Sequence, residues 1–136
     1  MAIRVDISIG EFLDKLSILE IKSERIADPA KLANVRRELQ TLRAAWAVSP
    51  LAAADIREDY AELVALNGRL WEIEDQIRER EAEGRFDGGF VELARSVYLT
   101  NDRRSAVKKR INLRLGSDLV EEKSYRASKP AAGDRG

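Results

Sequence analysis

The sequence predicts an all-α protein: an elongated antiparallel bundle of about four helices, built as two helical hairpins, with a short extended N-terminal arm and a flexible C-terminal tail. Three observations predict it. Apolar residues recur at steps of three and four over long stretches. Asp-Pro, Ser-Pro and lone glycines punctuate those stretches where helices would start and stop. Only residues 3–7 alternate apolar and polar as a strand does. The 136 residues suit one domain, at 1–123, followed by a tail at 124–136.

Ile3, Val5 and Ile7 alternate with Arg4 and Asp6, and this segment reads as an arm lying on the bundle. Ser8 then caps a helix, with Glu11 completing a capping box. Helix one, about Ile9 to Ala27, carries Phe12, Leu13, Leu16 and Leu19 on one stripe. Ile18 and Ile21 lie off it. A helix apolar on two sides is either central or half covered by a partner, so these two residues form a candidate interaction surface. Asp28-Pro29 restarts the chain as an N-cap and first helical residue, and the short link forces an antiparallel hairpin.

Helix two, about Pro29 to Trp46, turns Leu32, Val35, Leu39, Leu42 and Trp46 inward. Helix three begins at the Ser49-Pro50 signal or at Asp55 and runs to about Glu83, with Gly84 ending it in the left-handed conformation. After the Asp87-Gly88-Gly89 loop, helix four runs from about Phe90 to Leu115 and Gly116 closes it the same way. No internal repeat is present.

Composition narrows the chemistry. Charged residues are 35% and hydrophobic ones 44%, which suits neither a membrane span nor a disordered polyelectrolyte. The 24 Lys and Arg balance 24 Asp and Glu, which argues against a general attraction to nucleic acid. With no Cys and no His, thiol nucleophiles, disulfides, Cys/His zinc sites and imidazole bases are excluded. Carboxylates, Lys, Arg, Tyr and hydroxyls are left, and no cofactor or metal site is read from them. No targeting segment or apolar run of roughly 20 residues is visible, so the expected location is cytoplasmic.

The anomaly lies in the core stripes of the last two helices. Phe90, Ala94, Val97, Asn101, Arg104, Lys108, Ile111 and Leu115 share a face whose middle is polar. Helix three carries Asn67 and Glu74 inside a stripe of Ile56, Tyr60, Leu63, Leu70 and Ile77. Folding the two helices about the loop near Phe86 sets Asn101 across from Trp71, Arg104 from Gly68 and Lys108 from Val64. The expectation is a buried polar layer of Asn67, Glu74, Asn101 and Arg104, with Lys108 at its edge. Such a layer fixes helix register, or it forms a pocket in which Trp71 and these residues bind an anionic small molecule. Glu11, Asp14, Lys15, Glu20 and Lys22 read as a solvated face, although Glu11 and Asp14 could share a cation. The basic run from Arg103 to Arg114 falls opposite Glu58, Asp59 and Glu62 and lacks interleaved aromatics, which disfavours nucleic acid.

Several blocks look familiar. Gly10-Glu11, Asp14-Lys15-Leu16, Ile18-Leu19-Glu20-Ile21-Lys22 and Glu24-Arg25-Ile26 open the chain, and Leu70-Trp71-Glu72-Ile73-Glu74-Asp75 follows. Tyr98, Thr100-Asn101-Asp102-Arg103-Arg104 and Glu121-Glu122-Lys123-Ser124-Tyr125 come later. Together, from about Ile3 to Tyr125, the chain resembles a small all-helical bacterial family of unknown function, often encoded near glycan or polysaccharide assembly genes. The resemblance implies a bacterial protein accessory to surface-glycan synthesis and an ordered Tyr125. It assigns no reaction, and whether the chain is an enzyme stays open. The function expected is a non-enzymatic interaction or assembly module, through self-association or a protein partner. The alternative is an anion- or metabolite-binding protein or enzyme built on the layer around Arg104.

Overall fold

A computed structural model describes residues 1–124. Four helices follow one another: α1, Ile9–Arg25; α2, Pro29–Ala47; α3, Arg57–Ala82; and α4, Gly88–Arg114. No strand occurs among the described residues. The chain is an antiparallel helical bundle, and no helix among the described residues is long and apolar enough to cross a membrane. Tyr125, and all of the expected tail except Ser124, lie outside the described residues.

Local chemistry sets most of the boundaries. The Ser8 hydroxyl accepts from the Glu11 amide at 3.1 Å and Asp28 accepts from the Lys31 amide at 2.9 Å. Asp87 accepts from the Phe90 amide at 3.1 Å, so Gly88 and Gly89 enter the first turn of α4. Gly84 and Gly116 end α3 and α4 at φ of 67° and 68°, where a side chain would be strained.

The start of α3 differs from the first signal. Ser49 donates to the Trp46 carbonyl and accepts from the Leu51 amide, so it finishes the turn after α2 and opens no helix. Asp55 instead accepts from the Arg57 amide. The capping box at α1 is half made, because the Glu11 side chain reaches to α4 and not back to its own cap.

α1 lies along the α3–α4 hairpin and touches both of its helices, while α2 packs on α1 alone. This central position explains the two apolar sides of α1. Leu13, Leu16 and Leu19 meet Leu39 of α2, Leu63 of α3, and Val107 and Ile111 of α4 in one core. Phe12 stacks on Trp46 with ring centroids 5.9 Å apart. The hairpin outruns α1, at roughly 40 Å against roughly 25 Å. Phe86, Val91, Tyr98 and Leu99 on and near its far end are exposed. The arm does not lie on the bundle as expected: Ile3 and Val5 are exposed, and only Ile7 reaches the helices.

Where α1 meets α4 the backbones nearly touch. A Cβ built on Gly10 would sit 2.4 Å from the Lys108 carbonyl oxygen, and the Gly10 amide donates to Asn112 Oδ1 at 2.6 Å. Gly10→Ala is therefore expected to push α1 off α4 and destabilise the fold by roughly 1 to 3 kcal/mol, measured by urea unfolding. Gly68→Ala, which meets open space, serves as the control and should be neutral or stabilising.

Candidate functional site

The polar layer exists, and α1 contributes more of it than the sequence suggested. Asp14 is only 4% exposed and Ser17 is fully buried, both on the side of α1 that faces the hairpin. From α3, the Asn67 side-chain amide donates to Asp14 Oδ1 and to Ser17 Oγ, each at 2.8 Å. The Ser17 hydroxyl itself donates to the Asp14 backbone carbonyl at 2.7 Å. From α4, Arg104 Nη1 donates to Asn67 Oδ1 at 2.9 Å. The orientation of the Asn67 amide follows from chemistry: a carboxylate only accepts, a guanidinium only donates, and Asn67 stands between them.

Lys108 completes the layer one turn further along α4. Its ammonium is 2.6 Å from Glu11, 3.0 Å from Glu121 and 3.9 Å from Asp14. Burial alone would lower its pKa, but the hydrogen bonds to Glu11 and Glu121 outweigh burial and hold it above the ordinary lysine value. Lys123 and Lys108 hold Glu121 below the ordinary carboxylate range. The ammonium therefore fills the space between Glu11 and Asp14 where a cation had been considered. Lys15 meets Glu38 of α2 at 3.2 Å.

Beside the layer lies a groove of about 370 Å³. Ile18, Ile21, Leu70 and Trp71 form its apolar wall, and Lys22, Glu74, Asp75 and Arg78 complete its charged lining, with Asn67 and Arg104 also bordering it. Arg25 stands 5.8 Å over the Trp71 ring.

Set against the expected residues, the layer holds Asn67, Arg104 and Lys108. Lys108 is buried and clamped, where an edge position had been expected. Glu74 is a correction: it is exposed, because Asp14 from the central helix takes the acceptor place it was given. Asn101 is half-buried, and its Oδ1 has no hydrogen-bond partner among the described residues. Trp71 borders the groove. Ile21 is buried and Ile18 half-buried, and both line the groove. Sequence reasoning missed Asp14 and Ser17. The available signal was the stripe Gly10, Asp14 and Ser17, small or polar at helical spacing beside the leucine stripe.

The basic run on α4 is largely compensated. Arg110 and Arg114 both hold the Asp59 carboxylate, at 2.8 and 2.5 Å, and Arg110 also reaches Glu62 at 2.6 Å. Asp59 is buried, which by itself would raise its pKa. The two guanidinium groups outweigh that and keep it below the ordinary range.

A family model described as "Family of unknown function (DUF6165)" matches residues 3–133. No curated protein and no solved structure matches.

Two outcomes follow from the layer. Asn67→Leu leaves the Asp14 carboxylate buried without its donor and should cost roughly 2 to 4 kcal/mol by urea unfolding. Adding Asp14→Leu should return a large part of that loss, since the buried carboxylate is then removed together with its donor. Asp59 has a lowered folded pKa, so its stabilisation is present above the ordinary carboxylate pKa. It is lost as pH falls through the lowered value. Unfolding free energies of wild type and Asp59→Asn should therefore differ at neutral pH and converge in acid.

Proposed function

Because the chain belongs to a family of unknown function (DUF6165), its role has to be read from its own geometry, and we propose that it is a non-enzymatic recognition module. Its groove takes an apolar anchor bearing an anionic group. One observation carries this reading. The Arg104 side chain is 27% exposed, borders the groove, and among the described residues makes one hydrogen bond, to Asn67. A guanidinium has five N–H donors, and the nearest carboxylate among the described residues, Asp14, lies only at 4.0 Å. The unspent donors beside an apolar wall suit a carboxylate of a docking segment.

Ile18, Ile21 and Trp71 would grip the apolar body of such an anchor, and Glu74 and Asp75 would repel a second negative charge. Asp14, Asn67 and Ser17 hold one another behind the arginine, which suits fixed positioning better than proton transfer. A free anionic metabolite is the second reading, favoured by a groove volume at the low end of small-molecule pockets. The resemblance suggests a bacterial cytoplasmic setting accessory to surface-glycan synthesis, and a glycosyltransferase of that machinery is the partner to test first.

Isothermal titration with phenylacetate and with a short N-acetylated peptide whose single negative charge is the carboxylate of a C-terminal Leu separates the readings. Wild type should bind the peptide saturably, and Arg104→Ala should lose at least about tenfold in affinity with its helical circular dichroism intact. Binding of phenylacetate alone would favour the metabolite reading. Equal affinities in wild type and Arg104→Ala would refute both.

A further inference from the structure

The N-terminal arm points to a second binding surface, independent of the groove. Residues 1–7 form no helix, turn or strand, and among the described residues no hydrogen bond or ion pair involves them. Ile3 is 89% exposed and Val5 73%. An alternating apolar segment with every backbone donor and acceptor free has the pattern of a strand that lacks a sheet to join.

We propose that this strand pairs antiparallel with the same strand of a second copy of the chain. The sequence is self-complementary in one register. With Val5 opposite Val5, Arg4 stands across from Asp6 and Asp6 across from Arg4, giving two ion pairs on one face. On the other face Ile3 stands across from Ile7 twice. Sliding the pairing by two residues one way sets Arg4 against Arg4, and the other way Asp6 against Asp6, so charge selects the central register.

The bundle supplies a seat for this ribbon. Ile7 borders a cleft of about 170 Å³ lined by Ile9, Phe12, Trp46 and Leu51. In the favoured register Ile3 of the second copy lies beside Ile7 on the same face, so its side chain enters that cleft. The two-fold axis repeats the contact at the other end. A bare two-stranded ribbon is marginal in water, and the two seated isoleucines are what make this one persist.

Sedimentation equilibrium tests the pairing. The full chain should dimerise reversibly in the micromolar to millimolar range. Arg4→Asp sets like charges together twice and should weaken the dimer roughly tenfold, and Asp6→Arg should do the same. Mixing these two single variants restores opposite charges at both pairs, so the mixture should dimerise more strongly than either alone. Arg4 and Asp6 are both exposed, so unchanged thermal melts are expected. A monomeric wild type, a dimer indifferent to both variants, or a mixture no better than its components would overturn the proposal.

Discussion

A carboxylate withdrawn from water on the central helix has to be met by donors, and much of the arrangement of α1, α3 and α4 follows from how that is done. Asp14 faces the hairpin in a position where an apolar residue would pack more easily. Asn67 answers it directly, and Arg104 and Lys108 add positive charge at 4.0 and 3.9 Å. Because each donor comes from a different part of the hairpin, the contacts are satisfied at one register only. Moving any helix by a turn would strand a buried charge, at a cost well above that of a displaced leucine. The layer thus supplies the specificity that a uniform leucine core lacks, and it also fixes Arg104 beside the groove.

The rest of the charge follows the same logic with less burial. Net neutrality conceals a pronounced local sorting: six cations crowd the last half of α4 from Arg103 to Arg114, and acids from α1, from the first turns of α3 and from the segment after α4 come to meet them. Asp59 receives two guanidinium groups from successive turns of α4, which ties the base of the hairpin together. Exposed pairs of this kind add little individually. Asp59 and Lys108 are different because their charged groups are largely withdrawn from solvent.

Much of the fold was legible in the sequence, since caps, breakers and helical periodicity are local signals. Asp28-Pro29, Gly84 and Gly116 each act through the backbone of a few residues, and each has the role its chemistry implies. The antiparallel pairing of α3 and α4 was legible too, which is why Arg104 meets Asn67 and Arg114 meets Asp59. What could not be read was the third helix in that interface. Periodicity shows that α1 has two buried sides without saying which faces the hairpin. Asp14 therefore read as solvated, Ser17 was not singled out, and Glu74 was given the acceptor's place. Ser49-Pro50 misled for a related reason: a hydroxyl that can open a helix can equally close a turn behind one.

The stitching of α1 to the end of α4 has a consequence for how the chain is made. The amides of Ile9 and Gly10 are claimed by Ser117 and Asn112, more than a hundred positions away. During synthesis the first helix emerges long before the residues that anchor it, with Asp14 still lacking its donors. The α1–α2 hairpin must wait in an unfinished state while the ribosome completes α4, and consolidation comes as a late, concerted event.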